Sequence, residues 1–110
     1  MAQTTVKMSR ALADRIREKR DSSPFKAASP GFVVSEALSL WAADLWVPGP
    51  DTDKWEGGGG ERLFLRLDDD AFIAGLRKRQ LTGVTTSPIM RRALEDWVEG
   101  RWEIGLVKVR

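Results

Sequence analysis

The chain has no cysteine, no histidine and no tyrosine among its 110 residues. Without cysteine there are no disulfides and no thiolate chemistry. Without histidine the usual general base near neutral pH is missing, and with both gone so are most soft metal ligands. Catalysis would have to rest on carboxylates, lysine or serine. No nucleophile–base pair or metal-ligand cluster stands out, so no enzyme, no metal site and no cofactor are expected. The acidic run Asp68 to Asp70 reads better as helix-start acids than as a metal site. No apolar run approaches the ~20 residues of a membrane helix, and no apolar leader with a small-residue cleavage site is visible. These absences fit a cytoplasmic protein. The formal net charge of +2 is modest. It permits a nucleic-acid partner without demanding one, so where the cations sit matters more than their sum.

What is present is said twice. "SEALSLWAADLW" (Ser35 to Trp46) and "RRALEDWVEGRW" (Arg91 to Trp102) align Ala37 with Ala93, Leu38 with Leu94, Trp41 with Trp97 and Trp46 with Trp102, each 56 residues apart. Upstream of each copy stands a short alternating run. Thr4, Val6 and Met8 share one face of the first, with Gln3, Thr5 and Lys7 on the other. Leu63, Leu65 and Leu67 share one face of the second, with Arg62, Phe64 and Arg66 on the other. Period two marks a half-buried strand. Each run meets a capping residue, Ser9 in the first and Asp68 or Asp69 in the second. Helices then follow over "RALADRIREKR", with Leu12 and Ile16 inward, and over "DDAFIAGLRKRQL", with Phe72, Ile73 and Leu76 inward. Their terminal cations, Arg17, Lys19 and Arg20 and then Arg77, Lys78 and Arg79, suit the negative helix end.

Ser29-Pro30 reads as a cap followed by proline in the first turn. Gly83 reads as the end of a helix, and Thr85 or Ser87 as the next cap. The last helices are expected from about Pro30 to Leu45 and from about Thr86 to Trp102. The organisation is therefore a first strand-helix-helix unit over 1–46, a Gly/Pro-rich linker over 47–60, a second unit over 61–102 and a tail over 103–110. Fully extended, such a linker reaches roughly 45 Å, ample to return from one unit to the next. The tail is a short strand or an unstructured end. Trp41 and Trp97, one turn after Leu38 and Leu94, are expected in a shared helical core, with Trp46 and Trp102 at helix ends covering its edges or meeting a partner.

One strand-helix-helix unit cannot stand alone, because a single strand leaves its backbone groups unpaired. Two units can pair their strands antiparallel and cover one face of the ribbon with four helices. The expected fold is mostly α with a short two-stranded antiparallel ribbon. Val6, Met8, Leu63, Leu65 and Leu67 would face the helices, and Gln3, Thr5, Lys7, Arg62, Phe64 and Arg66 the solvent. An ordinary solvent face also reads as Lys, Arg and Thr, and Phe64 fits it least well unless the register is shifted by one or Phe64 packs under the linker.

With these residues in view, the chain resembles the ribbon-helix-helix superfamily, the MetJ/Arc class of DNA-binding proteins, as two tandem copies. "RLFLRLDDDAFIAGL" followed by "GVTTSPIMRRAL" carries the resemblance most strongly. The first unit departs from the family pattern, with "AASPG" after a longer loop. The resemblance implies a sequence-specific double-stranded DNA-binding protein, a transcriptional repressor, that inserts its ribbon into the major groove. It implies base readers at Gln3, Thr5, Lys7, Arg62, Phe64 and Arg66. It also implies phosphate clamps at Ser29 and at Thr85, Thr86 and Ser87. A single-chain pseudodimer is the preferred architecture, with two chains in a larger assembly, or self-association on DNA, as the alternative. Unlike strands favour an asymmetric site or two unequal half-sites. The competing functional expectation is an antitoxin or a plasmid transfer or partition accessory protein. That protein would act partly as a protein-interaction module, docking a partner through the tail.

Overall fold

The computed structural model describes residues 2–22, 29–54 and 59–101. It contains β1 (Ala2–Ser9), α1 (Arg10–Ser22), α2 (Pro30–Ala42), β2 (Gly60–Leu67), α3 (Asp69–Thr82) and α4 (Thr86–Val98). The two strands form one antiparallel sheet, with Val6 opposite Leu63, Thr5 opposite Phe64 and Lys7 opposite Arg62. The alternation of each run divides its side chains as expected. Val6, Met8, Leu63, Leu65 and Leu67 are buried in one cluster with residues of α1, α2 and α4. Full burial of such side chains stabilises the fold by about 1.5–3 kcal/mol each.

Local signals start and stop the helices. The Ser9 hydroxyl accepts from the Leu12 amide at 3.1 Å, so α1 begins where β1 ends. Asp68, the first of its acidic run, caps α3 by accepting from the Ala71 amide, and Gly83 ends α3 in the left-handed region at φ 74°. Ser29 caps α2 by accepting from the Phe32 amide at 3.1 Å. Thr85 stands at the cap position of α4 but makes no side-chain cap bond.

Three expectations need correction. Helix α2 ends at Ala42, not near Leu45, and Asp44 turns the chain at φ 58°. Helix α4 ends at Val98, with Gly100 at φ 80° just beyond, and not near Trp102. Ile73 points outward, 44% exposed, whereas Ala71 and Gly75 form the buried stripe of α3. Small residues win there because α3 packs closely on α2. A Cβ on Gly75 would lie 3.3 Å from the Leu38 side chain. Ile73 falls off that stripe, between Ala71 and Gly75 in sequence but on the far side of the helix.

Trp41 and Trp97 are in the core, and so is Trp46, which lies beyond the end of α2 and is 3% exposed. Trp102 and the tail 103–110 lie outside the described residues. The segment after Trp46, expected as a linker, runs along α4. The Pro50 carbonyl meets Arg92 at 3.5 Å, Thr52 donates to Glu95 at 3.0 Å, and Asp51 accepts from Arg91 at 2.7 Å. Asp53 then accepts from the Ser9 amide at 2.7 Å and from the Ser9 hydroxyl. Its proline and acidic composition gives no core signal, yet its carboxylates are fastened by charge-assisted bonds.

Candidate functional site

The outer face of the ribbon is assembled by strand alternation alone. Once Val6, Met8, Leu63, Leu65 and Leu67 turn inward, Gln3, Thr5, Lys7, Arg62, Phe64 and Arg66 must turn outward. All six are exposed, as expected. The register stacks them in three cross-strand pairs: Gln3 with Arg66, Thr5 with Phe64 and Lys7 with Arg62. Three of the six are cationic. None of those three pairs with an acid among the described residues. Lys7 and Arg62 are like charges directly opposite each other, which is unfavourable in the free protein. Phe64 is 70% exposed at the centre of the face. Phe64 is the aromatic among the exposed large hydrophobics of the described residues, which also include Leu45, Val47 and Leu81.

Gly31 brings the start of α2 against this ribbon. A Cβ there would lie 2.3 Å from the Arg66 carbonyl oxygen, so only glycine allows the approach. Between them opens a groove of about 270 Å³ lined by Arg20, Ser29, Pro30, Gly31, Phe64 and Arg66 among others. It combines a helix N-terminus with Arg66 and with Arg20, whose guanidinium also meets Asp21 at 3.3 Å. Of the expected clamp residues, Ser29 is therefore beside Phe64 and Arg66 of the ribbon face, with its own hydroxyl spent on the Phe32 amide. Thr85 is exposed and Thr86 and Ser87 are half-buried at the start of α4. The first-turn amides of α4 have no cap from the Thr85 side chain. Two further polar ties hold α2 and α4 to the strands. Ser35 accepts from the Asp68 amide at 3.0 Å and donates to the Gly31 carbonyl at 2.8 Å. Arg91 donates to the Lys7 carbonyl at 3.0 Å.

Several cations elsewhere are paired with acids or backbone. Arg17 donates two bonds to Glu61, at 3.0 and 2.9 Å. These bonds hold the Glu61 carboxyl below the usual range and raise the guanidinium. Lys19 is lowered by desolvation, its ammonium donating to the Trp97 carbonyl and lying 5.3 Å from the Trp97 ring. Near the end of α4, Asp96 is 5% exposed and meets Arg92 at 3.0 Å and Arg101 at 2.8 Å. The Asp96 bond raises the Arg101 guanidinium. The ribbon's outer face thus gathers three cations that have no acidic partner among the described residues, Lys7, Arg62 and Arg66.

Compared with protein-family models, curated proteins and solved structures, the chain returns no match. The site must therefore be read from its own geometry. Among the described residues no group of three or more acidic side chains is arranged to hold a metal ion, and no helix is long and apolar enough to cross a membrane.

Gly31, Arg91 and Asp53 escaped the reading of the sequence. Gly31 carried a usable signal, since a glycine in the first turn after Ser-Pro invites close backbone approach. Asp53 carried none, because a capping acid 44 residues away from Ser9 leaves no local pattern.

Proposed function

We propose that this chain is a tandem ribbon-helix-helix protein, a single-chain pseudodimer that binds double-stranded DNA sequence-specifically and acts as a transcriptional repressor. The observation that carries the reading is the outer ribbon face. Three unpaired cations, two neutral polar side chains and a bare phenylalanine share one two-stranded surface. A ribbon of this kind fits the major groove. There, arginine and lysine pair with guanine, glutamine with adenine, and threonine or phenylalanine meets a thymine methyl.

Several equivalences support the pseudodimer. The caps Ser9 and Asp68 lie 59 residues apart, and so do Thr5 and Phe64, which are cross-strand partners. A local twofold axis between Thr5 and Phe64 relates the two strands. Lys19 of α1 covers Trp97 at 5.3 Å, and Lys78 of α3, 59 residues later, covers Trp41 at 5.6 Å. The two ammonium–ring contacts are reciprocal, each reaching from one unit to the other. Helices α2 and α4 are both 13 residues long and begin 56 residues apart. The offset falls from 59 to 56 because the connection is four residues shorter in the second unit, 83–85 against 23–29, while α3 is one residue longer than α1.

In this reading the ribbon specifies bases, and the starts of α2 and α4 position the phosphates. Ser29 contributes on one side, and Thr85, Thr86 and Ser87 on the other. Fluorescence anisotropy of the full chain against genomic duplex fragments tests it. Binding with a sequence preference that survives competitor DNA is expected. No binding at low salt, or binding without preference, removes the reading.

A further inference from the structure

The two ends of the ribbon are chemically different, and the register says how. At one end Gln3 stands opposite Arg66; at the other, Arg62 stands opposite Lys7. Under the twofold axis between Thr5 and Phe64, Gln3 is equivalent to Arg62 and Lys7 to Arg66. The second equivalence keeps a cation at both positions. The first exchanges an amide for a guanidinium. The whole asymmetry of the outer positions therefore rests on one pair, Gln3 and Arg62.

Distance limits what each end can reach. From Gln3 to Lys7 the strand advances four residues, roughly 13 Å at 3.3 Å per residue. Stacked bases rise about 3.4 Å per step along each strand, so the two ends sit about four base-pair steps apart. The ends cannot share one base pair, and each reads its own.

Resting on the DNA-binding reading above, we propose that the ligand is a short duplex site without dyad symmetry, polar in its base composition. The Lys7/Arg62 end takes consecutive G·C pairs, because both cations require the guanine O6 and N7 acceptors of the major groove. The Gln3/Arg66 end takes one A·T pair beside one G·C pair, because the glutamine amide matches adenine N6 and N7. Between them, Thr5 and Phe64 face a thymine methyl. The like-charge pair Lys7/Arg62 is unfavourable in the free protein, and guanine acceptors relieve it. A site of this kind fixes the direction in which the protein sits on DNA, which a palindrome does not.

The test is selection of duplexes from a random library by the full chain, with sequencing of the enriched pool. It is run beside Arg62→Gln, which makes the two ends equivalent under the twofold axis, and beside Lys7→Gln, which gives each end a glutamine and an arginine but puts both glutamines on β1, so the twofold equivalence is not restored. Circular dichroism checks that both variants are folded; both sites are exposed on the strand face, so folding is expected to persist. The wild-type motif is expected to differ from its own reverse complement, with guanines concentrated at one end. Arg62→Gln is expected to turn one guanine of that end to adenine and make the outer positions dyad-symmetric. Lys7→Gln is expected to leave the motif asymmetric. A palindromic wild-type motif, or an Arg62→Gln motif identical to wild type, overturns the inference while DNA reading stands. The absence of any enriched motif overturns both.

Discussion

Arg66 serves two purposes at once: its side chain faces outward from β2 and its carbonyl receives the start of α2 at Gly31. The two can be separated by mutation. Arg66→Ala is expected to weaken specific DNA binding by ~1–3 kcal/mol and relax preference at one position. Unfolding midpoints should barely move, since the side chain is exposed. Gly31→Ala does the reverse. Its Cβ meets backbone at 2.3 Å, not the end of a flexible side chain, so α2 must shift. Overpacking of this kind costs about 1–3 kcal/mol, read by urea denaturation. Phe64→Ala distinguishes a reader from a core residue. At 70% exposure its loss should change stability by no more than about 0.5 kcal/mol while lowering DNA affinity. Glu61 sets a pH dependence. Its folded carboxyl is lower than in the unfolded chain because Arg17 donates to it. The stability it contributes is therefore complete above the ordinary carboxylate range and is lost as pH falls through the lower folded value. Urea midpoints measured from neutral to acid pH should fall less steeply for Glu61→Gln.

The elements were legible in the sequence to different degrees. Both strands were visible because alternation is a local pattern, and Ser9, Asp68, Ser29 and Gly83 marked helix boundaries where the structure has them. The inner face of α3 is legible only in part: Phe72 packs against the core as expected, but Ile73 points outward. The buried positions there are decided by how closely α2 approaches, which favours Ala71 and Gly75. The expected ends of α2 and α4, near Leu45 and Trp102, run beyond the observed ends at Ala42 and Val98 because the repeated tryptophan spacing continues past the last helical turn. Trp46 is buried from an irregular segment, a tertiary contact that helical spacing cannot encode. The six outer ribbon residues were all legible, since they are the complement of the buried alternation. The strap over 47–54 was not, because its bonds to Ser9, Arg91 and Glu95 span 40 residues or more. Asp53→Ala probes the strap. It removes the acceptor for both the amide and hydroxyl of Ser9, the residue that itself caps α1. A loss of about 0.5–2 kcal/mol is expected, as for a helix cap. Faster amide exchange at Ser9 and Leu12 should accompany it.

For the whole molecule, the pairing of β1 with β2 within one chain completes the ribbon without a second copy. The account therefore predicts the mass of one chain by light scattering at micromolar concentration, and one chain per DNA site. Affinity should fall linearly with the logarithm of salt concentration, the slope counting the phosphates neutralised. The central claim is that a single chain reads bases through the outer face of its ribbon. The most direct measurement is an anisotropy titration of the full chain onto an enriched duplex and onto the same duplex with 7-deazaguanine in place of guanine, which removes the N7 acceptor from the major groove. The account predicts saturation at one chain per duplex and at least a tenfold loss of affinity for the substituted DNA, about 1.4 kcal/mol. Equal affinity for the two duplexes would contradict it.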